Sequence, residues 1–282
     1  MMKKSLLAAF ALAVSAGSAL AADLPSKKAA PLLPPPPPPP ALWTGFYVGL
    51  NAGYTWDESS SVAVSSGSIA PVNPIVGIAG SGLLGTSIDG FIGGGQIGYN
   101  YQFANAFVAG VEADIQGVAG SNSGTSSVAA FGPLTSTISA SKSIDYLGTV
   151  RGRLGYLITP SLLVYGTGGL AYGQANLSSS VFQAVGGLVG ASSSAFSDTR
   201  VGWTAGGGVE WLFLPKWSAK VEYLYYDLGT VSTSSVISFT TVAGPAATTS
   251  SSARFNGHVV RAGVNYHFNL FSPAAAPVVA KY

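Results

Sequence analysis

The stretch R-A-G-V-N-Y-H-F, Arg261–Phe268, decides the fold. Taken at every second residue, it splits into Ala262, Val264, Tyr266 and Phe268 against Arg261, Gly263, Asn265 and His267. A period of two is the mark of a β-strand with one apolar and one polar face. A soluble sandwich hides the apolar set; a membrane barrel turns it outward.

The alternation recurs along the chain. Candidate strands cover 44–56, 88–101, 106–117, 144–156, 162–173, 200–213, 217–228 and 254–268. That makes eight, each long enough for the ~9–11 residues that cross a bilayer at a tilt. The connectors alternate in length. Three are short: 102–105, 157–161 and 214–216. The other four, within 57–87, 118–142, 176–198 and 230–253, are long and rich in Ser, Thr, Gly and Ala. Membrane barrels have short periplasmic turns and long outer loops. The expected fold is therefore all-β, an eight-stranded antiparallel up-and-down transmembrane β-barrel with both chain termini of the barrel on the periplasmic side.

Sorting by parity separates the two faces. Phe107, Val111 and Ile115 oppose Glu112, Asp114 and Gln116. Tyr146, Val150 and Leu154 oppose Asp145, Thr149, Arg151 and Arg153. Val201, Trp203, Val209 and Trp211 oppose Thr204 and Glu210; Val221, Tyr223 and Tyr225 oppose Lys220 and Glu222. With Arg261, the polar faces hold both signs. We expect Glu112, Asp114, Asp145, Arg151, Arg153, Glu210, Lys220, Glu222 and Arg261 to form a charge network inside a narrow lumen. An eight-stranded barrel has room for side chains and little more, and charges there must be paired. A soluble sheet would solvate these faces, but the Gly-rich strands would then fill a sandwich core poorly. Glycines on the inner parity, such as Gly94, Gly98, Gly206 and Gly208, leave space for long side chains. Aromatics near strand ends (Trp43, Phe46, Tyr47, Tyr99, Tyr101, Phe103, Trp211, Trp217, Tyr266 and Phe268) are expected to form interfacial girdles.

Composition agrees. The 282 residues include 37 Gly, and charged residues make up only 9%, against about a quarter in soluble domains. Mean hydropathy is +0.40, yet the one long apolar run is Leu6–Ala22. A net charge of +2 gives no reason to expect nucleic acid as a partner. The absence of cysteine excludes disulfides and thiol chemistry.

Lys3 and Lys4, the apolar Leu6–Val14 and the small residues around Ala19-Leu20-Ala21 spell a secretory signal peptide over 1–21. The run is short for a membrane anchor. Residues 22–42 form a Pro-rich periplasmic linker. Its seven consecutive prolines, Pro34–Pro40, favour an extended polyproline rod, a spacer or a docking segment for a proline-binding partner. The barrel is expected over 43–268 and a C-terminal tail over 269–282.

Several of these stretches resemble the small outer-membrane porin-family proteins of alphaproteobacteria, surface antigens that share the OmpA-like transmembrane domain. The resemblance rests on the leader A-L-A-A-D-L-P, on W-T-G-F-Y-V-G-L-N-A-G-Y, on T-V-R-G-R-L-G-Y, on V-E-Y-L-Y-Y-D-L-G, and on R-A-G-V-N-Y-H-F with P-V-V-A-K-Y. It implies residence in the lipid of the Gram-negative cell outer membrane and a structural role, with long loops exposed as antigenic or adhesive surface. The alternative is slow passage of small solutes. Arg261, Gly263, Tyr266 and Phe268 also resemble the C-terminal signal read by the barrel assembly machinery. Fourteen residues follow Phe268, which leaves open which aromatic end engages it.

Catalytic chemistry is scarce. The two histidines, His258 and His267, have no metal-ligand spacing, and no glycine-rich loop opens a helix. The sequence calls for no cofactor and no metal. A rim-active hydrolase built on His258 and the nearby Ser250–Ser252 is the weakest alternative.

Overall fold

The computed structural model describes residues 42–104, 106–120, 123–240 and 243–268. The expected signal peptide, nearly all of the linker and the tail lie outside the described residues. Eleven strands and one short helix are described. They run β1 (Gly45–Asp57), β2 (Ser61–Ser68), α1 (Ile75–Ala79), β3 (Gly82–Gly85), β4 (Gly90–Phe103), β5 (Phe107–Ala119) and β6 (Ser123–Phe131). β7 (Leu134–Thr159), β8 (Leu162–Val185), β9 (Leu188–Leu214), β10 (Trp217–Phe239) and β11 (Pro245–Phe268) complete the chain.

Every pairing is antiparallel. The order β1-β4-β5-β7-β8-β9-β10-β11 closes on itself, because β1 also pairs with β11. Leu50 sits between Gly95 of β4 and Val264 of β11, so the first strand joins the last. Closure removes the free edges that an open sheet would present.

In the half of the ring near the short turns, the apolar set faces out. Leu50 is 74% exposed, Val201 65% and Leu154 60%. In water, each such side chain would forgo roughly 1.5–3 kcal/mol of burial. The polar set turns inward, where Thr149, Arg151, Lys220, Glu222 and Arg261 are buried.

Toward the long connectors the pattern reverses. Ile138, Ile144, Leu177, Val181, Val231, Ile237 and Phe255 point inward and form one core with Val62, Val64, Leu84 and Ile88. There, pairing runs β3-β2-β11-β10 on one side and β6-β7-β8-β9 on the other. Helix α1 buries Val76 and Ala79, and Gln183 Nε2 donates to Val76 O at 2.8 Å.

Two β-bulges mark the change. In β7 the register slips between Ile144 and Leu147. Above it Ile138, Ala140, Lys142 and Ile144 face in; below it Leu147, Thr149, Arg151 and Arg153 do. In β10 the slip lies between Asp227 and Thr230. One extra residue exchanges the two faces of a strand.

Two expectations need correction. Among the described residues there are eleven strands where eight were expected, since β2, β3 and β6 arise within expected loops. The long connectors are also largely strand: β7, β8, β9, β10 and β11 extend to 26, 24, 27, 23 and 24 residues. The reason is visible in S-T-I-S-A-S-K-S-I (136–144). Its inward positions Ser136, Ile138, Ala140, Lys142 and Ile144 are all buried, and alternation with β-branched residues outweighs the turn propensity of serine.

Candidate functional site

Neighbouring strands bring opposite charges together inside the ring. Glu112 and Asp114 lie two residues apart on β5 and so share a face. Across the ladder, Glu112 pairs with Arg151 and Asp114 with Thr149 of β7. On the far wall, Lys220 sits opposite Glu210 of β9, and Glu222 opposite Arg261 of β11.

Long side chains then cross the lumen. Arg151 Nη2 donates to Glu112 Oε1 at 2.6 Å and to Asp114 Oδ2 at 2.9 Å, and its Nη1 reaches Glu222 Oε1 at 2.9 Å. Arg261 Nη2 joins Asp114 Oδ2 at 2.8 Å and Glu222 Oε2 at 2.6 Å. Lys220 Nζ donates to both Glu112 oxygens at 2.7 and 2.9 Å. Arg153 Nη2 binds Glu210 Oε2 at 2.6 Å, and its guanidinium lies 4.0 Å from the Tyr165 ring centroid. Four carboxylates thus meet four cations. Each buried ion would cost several kcal/mol alone, and mutual pairing offsets that cost.

Asp145 does not belong. It was expected beside Arg151 by parity, but the bulge before Leu147 turns it to the outer surface. There it accepts a hydrogen bond from Asn176 Nδ2 at 3.0 Å. Without Asp145 the expected set has equal numbers of each sign.

Several participants escaped sequence reasoning. Tyr47 and Trp43 were expected in a girdle, yet both are fully buried. Tyr47 donates to Glu112 Oε2 at 2.6 Å and accepts from Arg153 Nη1 at 3.0 Å. The signal was present: Tyr47 shares parity with Gly49, Asn51 and Thr55, the small and polar set. Gly98 is inward, and the Tyr47 ring occupies the space that a Cβ there would need. Asn51, Gln96, Asn265 and Glu210 form a further chain of hydrogen bonds. Trp43 closes the short-turn end; its indole donates to Pro160 O at 3.0 Å and meets the His267 ring edge-on.

A serine, a histidine and an acid do converge here. Ser218 Oγ lies 2.8 Å from His267 Nε2 and donates to Glu210. The hydroxyl points at the carboxylate, and all three residues are buried beneath Trp43, so an acyl group has no approach. His258 is on the outer wall. Its ring stacks between Trp56 and Tyr223, and its Nδ1 meets the Tyr223 hydroxyl at 2.7 Å. Of the serines considered with His258, Ser251 turns inward to Ser179, while Ser250 and Ser252 share the outward side of the strand with His258 but, eight and six residues away, lie roughly 20 Å or more from it. Of the proposed assembly residues, Arg261 belongs to the ion network and Gly263 pairs with Asn51 and Lys220. Tyr266 and Phe268 share an outer aromatic contact, ring centroids 5.0 Å apart.

A closed antiparallel ring, apolar outside and neutralised inside, defines a membrane β-barrel. The chain belongs to the outer membrane protein β-barrel domain family, which matches residues 6–268. It is 38% identical over 281 residues to the 31 kDa outer-membrane immunogenic protein of Brucella melitensis, covering 94% of this chain and 100% of the relative. It is 34% identical over 136 residues to the 22 kDa outer membrane protein of Rhizobium leguminosarum bv. viciae, covering 48% and 52%. Among solved structures it is similar to the outer membrane protein OprG of Pseudomonas aeruginosa. That match has a TM-score of 0.40 and 12% identity, over 80% of this chain and 97% of the other. This is an outer-membrane β-barrel protein.

Proposed function

We propose that the chain is an eight-stranded, up-and-down transmembrane barrel with a closed lumen and a structural, non-enzymatic role. In this reading it displays its long-connector end at the cell surface as antigenic or adhesive material. The eight strands are those of the closed ring; β2, β3 and β6 belong to the part outside the lipid. The observation that carries the reading is the sealed ion network, whose eight charged residues are at most 5% exposed. The apolar core above and Trp43 below support closure. The outer-membrane immunogenic relative supports exposure of the far end. A signal peptide over 1–21 and a linker over 22–42 fit this export route, and recognition of Tyr266 and Phe268 by the assembly machinery would insert the barrel.

Conductance in planar bilayers tests the reading against a solute pore. The expected trace is flat for the native protein. Discrete openings that change in Arg151→Ala or Glu112→Gln would establish a pore instead. Turnover of lipid or ester substrates that disappears in His258→Ala would contradict the non-enzymatic role.

A further inference from the structure

We propose that Tyr223 and His258 form a radical-trapping pair on the outer wall, which reduces organic peroxyl radicals arising in the surrounding lipid. The lumen network does not use His258, and a histidine does nothing for an apolar wall. It sits on the outward side of β11, paired with Trp56 of β1 and Tyr225 of β10. An ionisable side chain turned toward lipid is costly, and its partner points to what it does. Trp56 stacks on the imidazole at 5.4 Å and Tyr223 at 5.9 Å, both inclined by 24°, while Tyr225 meets its edge at 5.4 Å. These rings fix the imidazole, and Tyr223 Oη lies 2.7 Å from its Nδ1.

Girdle tyrosines hold their hydroxyls in interfacial water. Tyr223 turns its hydroxyl onto a base instead. Tyr54 gives the comparison within the same molecule. It and Tyr223 flank Val260 on one rung of the barrel, and they are 40% and 44% exposed. Tyr54 packs its ring on Phe91, with no partner for its hydroxyl among the described residues. The two phenols thus share depth and exposure and differ in the imidazole.

That difference decides their chemistry. A phenol that gives up an electron becomes a strong acid, and a phenol cation beside lipid is too costly to form. The electron leaves as the proton moves to an acceptor, and a neutral imidazole with its own proton on Nε2 is one. The pair opens onto acyl chains, so its oxidant is a neutral species that dissolves there, an organic peroxyl radical ROO•. ROO• takes one electron from Tyr223; the phenolic O–H bond breaks, and its proton passes to His258 Nδ1. The peroxide anion then collects that proton as ROOH, which restores neutral His258 and leaves a phenoxyl radical on Tyr223. One peroxyl radical is reduced per chain, without turnover, so the trap goes beyond the structural role and is compatible with it.

The test uses the full chain refolded into vesicles of unsaturated phosphatidylcholine. A lipid-soluble azo initiator in air-saturated buffer supplies the peroxyl radicals. Peptide mass spectrometry reads oxidation at each tyrosine, and freeze-quenched electron paramagnetic resonance reads the phenoxyl radical. In the native chain, early oxidation at Tyr223 should exceed that at Tyr54 by about tenfold or more, as a placed base contributes. The phenoxyl signal should vanish in Tyr223→Phe. It should fall by a similar factor in His258→Phe, which keeps a ring between Trp56 and Tyr223 and removes the base. Equal oxidation of Tyr223 and Tyr54 in the native chain would overturn the proposal, and that comparison needs no variant to fold. So would an undiminished signal in His258→Phe protein that migrates as the folded species. A water-soluble initiator that oxidises Tyr223 as fast at equal radical flux would make the aqueous phase the source and overturn it equally.

Discussion

Arg151 touches three carboxylates at once, the same three that Arg261 reaches. Arg151→Ala would leave Glu112, Asp114 and Glu222 under-compensated, a loss of about 3–5 kcal/mol for a broken buried pair. Asp145→Ala, outside the ring with one exposed contact, is expected to stay within about 0.5 kcal/mol. Urea titrations of both variants in lipid vesicles check this; similar losses would return Asp145 to the network. Beyond the lipid-facing span, Lys142 Nζ bonds Asp57 Oδ2 at 2.8 Å. Burial pushes the Asp57 carboxyl up to about 6 in spite of Lys142, and burial likewise holds Lys142 below its ordinary value. The acidic window belongs to Asp57, with Asp89 and Tyr226 as its other titratable neighbours. Folding takes up a proton between the usual carboxylate value near ~4 and about 6, so the stability Asp57 contributes is lost as pH rises through that window. The stability difference between the native protein and Asp57→Asn should therefore change over that range; a pH-independent difference would contradict it. At this scale parity placed eight of the nine expected ions. It failed at Asp145 because a bulge leaves no mark in a pattern of twos.

Among the elements, β7 carries the argument. Its upper half buries apolar residues and its lower half buries arginines, and the bulge at residues 145–146 makes both possible. Deleting Tyr146 forces one half to face the wrong way. The expected outcome is failure to form the compact, heat-modifiable species on gels, whereas deletion of Gly187 in the β8–β9 turn preserves it. Normal migration of the Tyr146 deletion would mean that the bulge is dispensable. The lipid-facing segments were legible because their apolar side chains alternate with charge. The extensions were not, because serine and threonine serve both turns and strands. Only the inward set Ile138, Ile144, Leu177, Val181 and Ile237 separates the two readings, and it does so once the strands are paired.

At the scale of the whole molecule, the chain is inside-out below the bulges and conventional above them. Closure by β1 against β11 was foreseeable from strands that begin and end beside short turns. The reversal was not, since it depends on which neighbours a strand acquires past the lipid. The central claim is that the outer band around Leu154 and Val201 meets acyl chains. The protein has no cysteine, so single substitutions place one fluorophore cleanly. The decisive measurement is quenching by lipids brominated in their acyl chains, for labels at Leu154→Cys, Val201→Cys and, as an aqueous reference, Ser180→Cys. The account predicts strong quenching at the first two and little at the third. Equal quenching at all three, or none at Leu154 and Val201, would contradict it.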